Sequence, residues 1–213
     1  MYLTIICVMA LLVNGVVQID QEETETKDYS AANARYEELV EQLKADVSSV
    51  DFDELRRIYV KTEYYAPYSS SETKDTANMN EGINEEDWGK CLESATRILS
   101  YSYISLDAHY GAMICSRNSN DTQSGDFHES VLDGLLESIW ASGDGRSPET
   151  AFFCTSLQER WAFLGMHGLV YNVKELEVHD GLYFDVVHVT NLADSSQFKL
   201  YFDVTTPLRR GRR

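Results

Sequence analysis

The chain is poor in the residues that break or staple a fold: of 213 residues, three are proline and four are cysteine. So few prolines leave helices uninterrupted, and so few cysteines exclude a disulfide-dense scaffold. Basic residues are scarce too, 18 against 35 acidic ones, for a formal charge of −17. Such a surface disfavours phosphate backbones and anionic membrane faces, so nucleic acid is not an expected partner. The longest apolar run, Leu3 to Val13, is short of the roughly 20 residues that span a bilayer. There is no G-x-S-x-G, no H-E-x-x-H, no Walker loop and no C-x-x-C pair. No catalytic residue, metal or cofactor is assigned on this basis.

What is present is 43% apolar and 11% aromatic, enough to bury a core. The opening "MYLTIICVMALLVNGVVQID" turns abruptly acidic at "QEETETKD", which reads as a signal peptide over 1–18, cut near Gly15 or after Gln18. Its first residues lack Lys and Arg, so a true start a few residues upstream or an uncleaved anchor are the alternatives. The mature protein is then expected to be periplasmic or secreted, with no stable membrane span once the signal is removed. Of the three cysteines beyond that segment, Cys91 and Cys115 fall on neighbouring helices and can either pair or stay buried as thiols.

A polar linker over 19–29 leads into a helical part, 30–141. Tyr36, Leu39, Val40, Leu43 and Val47 recur at helical spacing, and "VDFDEL" carries the Asp51 and Glu54 of a capping box. Pro67 and the Ser/Thr/Asn run of "YYAPYSSSETKDTANMNEG" predict a long surface loop whose Tyr64, Tyr65 and Tyr68 pack back over the helices. Stripes follow at Trp88 to Leu99, Leu106 to Ile114 and Val131 to Ile139. "CLESATRILSYSYISLDAHYGAM" has a local tetratricopeptide-like hairpin character. The loop "SGDGRSPETAFFCTS" follows a helix C-terminus, the wrong end for a phosphate. Gly143 is expected there as a left-handed closing residue, and Asp144 as a minor candidate for a cation.

From Thr150 the period becomes two, predicting strands at 150–155, 159–166, 169–178, 182–190 and 197–204, an antiparallel meander over 150–206. The fold class is α+β, a single domain over 30–207 with the helical part packed on the meander, and a basic tail at 208–213. At "VHDGLYF" a three-residue loop is favoured over a two-residue turn, because it pairs Leu176 with Phe184 rather than with Asp185. The repeated "LYFDV" places Tyr183, Asp185, Tyr201 and Asp203 on one outer face as a candidate binding patch.

The order "VDFDELRRIYV", "LDAHYG", "HESVLDGLLESIWASGDGRSPETAF" and a closing "YFDV" pair resembles the bacterial family catalogued as domain of unknown function 4919. The resemblance runs from about Val50 to Pro207 and implies an exported or envelope protein with helices followed by a small sheet. It implies no activity.

His109 and His128 tempt a metal pair. A hairpin turning near residue 122, however, sets them roughly 10 Å apart along the axis, so they are expected as separate, satisfied core histidines. The expected function is a non-enzymatic binding module with a protein partner in the envelope. The alternative is a small hydrolase-like enzyme with a site near the helix-sheet junction. Because the leading apolar segment adds nothing to the amphipathic pattern, deleting residues 1–18 should leave a folded chain with a single cooperative thermal transition; a molten product would place that segment in the core.

Overall fold

The computed structural model describes residues 28–211, so the signal and most of the linker expected over 1–29 lie outside the described residues. Among the described residues six α-helices come first: α1 (Ser30–Ala45), α2 (Phe52–Tyr59), α3 (Ser70–Asn84), α4 (Trp88–Tyr101), α5 (Leu106–Asn118) and α6 (Thr122–Ala141). All but α1 begin where a capping side chain accepts from free backbone amides. Asp51 caps α2, Asp87 caps α4, Ser105 caps α5 and Asp121 caps α6. The helix α3 replaces the loop expected over this stretch. Ser69 accepts from the Glu72 amide, half of a capping box, and Met79 is buried between α4 and α5. With so few apolar residues on α3, tertiary burial rather than periodicity makes it a helix.

The second half is β1 (Phe152–Phe153), α7 (Leu157–Met166), β2 (Leu169–His179), β3 (Leu182–Asn191), β4 (Gln197–Asp203) and α8 (Thr205–Gly211). The fold is α+β. The strand expected over 159–166 is instead α7, capped by Ser156 and burying Ala162, Phe163 and Leu164. Sheet order is β1-β4-β3-β2, and β1 runs parallel to β4, so only β2 to β4 form the antiparallel meander. Leu208 packs on the core and Arg210 donates to the Tyr65 and Thr62 carbonyls, so the residues expected as the start of a tail close the fold as α8.

Turn chemistry overrules the favoured register at "VHDGLYF". Asp180 and Gly181 both have positive φ, 50° and 77°, the conformation of a two-residue hairpin turn, and Leu176 therefore pairs with Asp185. The next hairpin closes through the Asn191 amide bonding to the Ser196 carbonyl, leaving a loop over 192–195. Its even length pairs Asp185 with Phe202 and Phe184 with Asp203.

In the segment after α6, the left-handed residue is Gly145 (φ 67°), not Gly143. Gly143 is required for another reason: a Cβ there would collide with the Thr150 carbonyl. The amides of Asp144 and Gly145 both donate to Thr150 O (3.0 and 2.8 Å), and the Gly145 carbonyl accepts from the Tyr201 amide (2.8 Å). The glycine-rich stretch is thus a strap that stitches the end of α6 to β4.

Two apolar clusters result. The larger joins α1, α2, α6 and α7 to the sheet through Leu39, Leu55, Leu135, Phe163, Val187 and Phe202. The smaller lies among α3, α4 and α5 and contains the Cys91–Cys115 disulfide, which resolves the choice left open by the sequence. Between α2, α6 and α7, Arg56 is completely buried. It donates to Glu159 (3.0 and 3.1 Å), to Ser138 Oγ (3.2 Å) and to the Phe153 carbonyl (2.8 Å). Arg56→Ala should cost about 3–5 kcal/mol in urea denaturation, because it strands a buried carboxylate.

Candidate functional site

The four residues proposed as a sheet patch are not brought onto one face. Asp185 faces the helices beside Val187 and Phe202, while Tyr201 and Asp203 lie on the reverse of the sheet, opposite Val186 and Phe184. The offset register makes the apolar face of one "LYFDV" the polar face of the other. Asp185 is buried, paired with Arg160, and its other oxygen lies 3.1 Å from Lys174 Nζ. Tyr183 is partly buried against the core, and the Asp203 carboxylate accepts from the Thr205 amide at the start of α8 (2.9 Å).

Asp144 is occupied as well. Its carboxylate accepts from Thr150 Oγ1 (2.6 Å) and the Arg146 amide (3.0 Å), and the Thr150 hydroxyl bond holds its pKa below the ordinary value. The carboxylate closes the strap, which answers for it without a cation. Among the described residues no group of three or more His, Cys, Asp or Glu is arranged to hold a metal.

The histidines depart most from expectation. Nδ1 of His109 lies 3.0 Å from Nδ1 of His128. The helices turn at 119–121, with Asn120 left-handed, rather than near 122. Each residue of shift in the turn moves the facing position by two, so the axial offset falls to about 4.5 Å. His109 is satisfied and wholly buried, its Nε2 lying 2.9 Å from the Tyr103 carbonyl, and burial lowers its pKa to about 3. His128 is partly buried, with its pKa lowered by desolvation.

His128 lines a surface groove. This groove, about 570 Å³, runs between α1 and the hairpins of α4 to α6. One side of α1 supplies Tyr36, Glu37, Val40, Glu41 and Lys44, α4 supplies Leu92, Thr96 and Leu99, and Tyr64, Tyr101 and Tyr103 complete an aromatic lining. The tyrosines are braced. Tyr36 OH accepts from the Tyr103 amide (3.0 Å), Tyr64 OH donates to Glu37, and Tyr101 OH donates to Asp75 (3.4 Å). Desolvation raises the Tyr103 pKa to about 12, so its phenol stays neutral at physiological pH. A second groove of about 640 Å³ between α5, α6 and α7 carries the exposed Tyr110 and Trp161 but no such bracing network.

At the helix-sheet junction lies a cavity of only about 20 Å³, lined by Tyr59, Tyr65, Glu72, Ser105, Asp107 and Glu159. That is room for a water, not for an organic substrate. Burial pushes Glu72 up to about 7, with the neighbouring Asp107 adding to the shift, and desolvation raises Asp107 to about 6. Ser105 Oγ donates to Glu72 at 3.4 Å. Sequence reasoning missed Glu72 because its segment reads as a loop. The S-x-x-E spacing from Ser69 to Glu72 was the available signal.

The family model described as Domain of unknown function (DUF4919) matches residues 21–213. No curated protein and no solved structure matches the chain. Neither the family match nor the other comparisons support the tetratricopeptide-like character expected for 91–113.

A raised carboxyl pKa means that the native state holds a proton the unfolded chain releases, so stability falls as pH rises from about 4.5 toward about 7 through Glu72. Glu72→Gln removes that cost. Its unfolding free energy should match the parent near pH 4 and exceed it at pH 8 by about 1–3 kcal/mol, read from parallel urea titrations.

Proposed function

We propose that this chain, which belongs to the family described as Domain of unknown function (DUF4919), is a non-enzymatic binding module that takes a polypeptide partner in the groove between α1 and α4 to α6. The observation that carries the proposal is the braced tyrosine lining of a groove of about 570 Å³. Rigid aromatic side chains offer broad contact area at little entropic cost, and tyrosine is enriched at the centres of binding surfaces. The compartment proposed is the periplasm or the cell exterior. In its support, the Cys91–Cys115 disulfide joins α4 and α5, and such bonds persist where the medium is oxidising. Among the described residues no helix is long and apolar enough to cross a membrane.

The second reading, a hydrolase-like enzyme at the helix-sheet junction, has one observation in its favour: Glu72 and Asp107 have their pKa values raised toward neutrality at one cavity. The size of the cavity weighs against it. The two readings separate in one experiment, affinity capture from the native envelope with the parent chain, with Thr96→Trp and with Glu72→Gln. Thr96 is an exposed residue on the groove wall, so a tryptophan there fills the groove without entering the core. The expected outcome is a defined polypeptide captured by the parent and by Glu72→Gln and lost with Thr96→Trp. Capture that survives Thr96→Trp overturns the groove. Enrichment of small molecules alone, lost with Glu72→Gln, moves the function to the junction.

A further inference from the structure

The groove lining includes several acceptors, and hydrogen-bond logic fixes the least obvious of them. The Tyr103 carbonyl can only accept, so Nε2 of His109, 2.9 Å away, carries the proton. A neutral His109 then presents a bare Nδ1, and His128, whose Nδ1 is 3.0 Å from it, must donate. In the neutral His128 ring, the form that burial favours, the remaining nitrogen is Nε2, an acceptor, on a side chain that lines the groove. The buried His109 acts here as a positioning residue that sets the tautomer of His128.

To the same lining α1 contributes Glu37 and Glu41. The groove's own cation shows what this setting accommodates. Lys44 Nζ lies 2.7 Å from Glu41 Oε1 and 5.3 Å from the centroid of the Tyr103 ring, an ammonium held between a carboxylate and an aromatic face.

We propose that the groove receives a lysine or arginine side chain of a basic polypeptide, its cation taken by Glu37, Glu41 and the tyrosine faces and one of its N–H groups accepted by His128 Nε2. This rests on the groove being the binding site and specifies what that site selects. Charge complementarity carries the choice of partner. The groove pairs two carboxylates and a neutral acceptor with a single lysine, on a chain of net charge −17 that attracts cationic partners at long range.

The test is calorimetric titration of the disulfide-intact chain with a lysine-rich peptide of twelve or so residues, its norleucine counterpart and its glutamate counterpart. The expected result is binding of the lysine peptide alone, weakened about tenfold or more by Glu37→Gln with Glu41→Gln. It should be abolished by Thr96→Trp and strengthened by Lys44→Met. A control pair elsewhere on the surface, Glu137→Gln with Glu177→Gln, removes the same charge and should change affinity by less than about twofold. Equal weakening by the two pairs overturns the proposal, because the attraction is then diffuse. Norleucine binding as tight as lysine binding, blocked by Thr96→Trp, also overturns it while leaving the groove as a binding site. Binding of none of the three peptides overturns both.

Discussion

The buried Arg56–Glu159 pair is the constraint on which the two halves of the molecule depend. Arg56 belongs to α2 and Glu159 to α7, 103 positions apart in sequence, and the same guanidinium also holds α6 through Ser138 and β1 through the Phe153 carbonyl. Glu159 in turn accepts from the Thr155 amide at 2.7 Å. Burying two charges is unfavourable unless every donor and lone pair is matched. Matching them here demands one relative placement of three helices and a strand, so the pair specifies geometry more than it adds stability. Its Glu159 also lines the junction cavity.

With the sheet anchored in this way, the remaining helices are free to build a surface. The layer from α3 to α5 folds against itself around the disulfide cluster, and α1 lies alongside it without filling the space between, which leaves the tyrosine groove. A disulfide closing a loop of 24 residues restricts the unfolded chain by about 3 kcal/mol, a useful supplement for a small cluster. The groove therefore stands on a stapled subunit of the fold, whereas the junction cavity lies inside the larger core. Access to that cavity would mean separating α3, α5 and α7 from the segment after β1.

Local signals were legible wherever one side chain suffices to set the backbone. Asp51 and Glu54 announce α2, the stripes at Trp88 to Leu99 and Val131 to Ile139 announce α4 and α6, and the change to period two announces the meander. The α+β class followed from these, and the family from the resemblance carried by "GLLESIWASGDGRSPETAF". What misled was any feature whose partner is distant. The helix α3 has a polar sequence and becomes helical by burying Met79 against α4 and α5, and α7 alternates like a strand but is held by Ser156 and by its buried Glu159 and Arg160.

The candidate sites show the same division at finer grain. By itself the sequence determined helices before sheet, a broadly acidic surface and the alternation of Tyr and Asp along each "LYFDV", because capping, composition and strand geometry are properties of neighbouring residues. Tertiary structure decided which of those residues meet. A loop of even length turned Asp185 inward to Arg160, and a helical turn closing at Asn120 brought His109 to His128. Both outcomes hinge on a shift of one or two residues. Such a shift leaves every local preference intact but changes the face or level on which a side chain emerges, because strand and helix periods convert a small offset into a new set of neighbours.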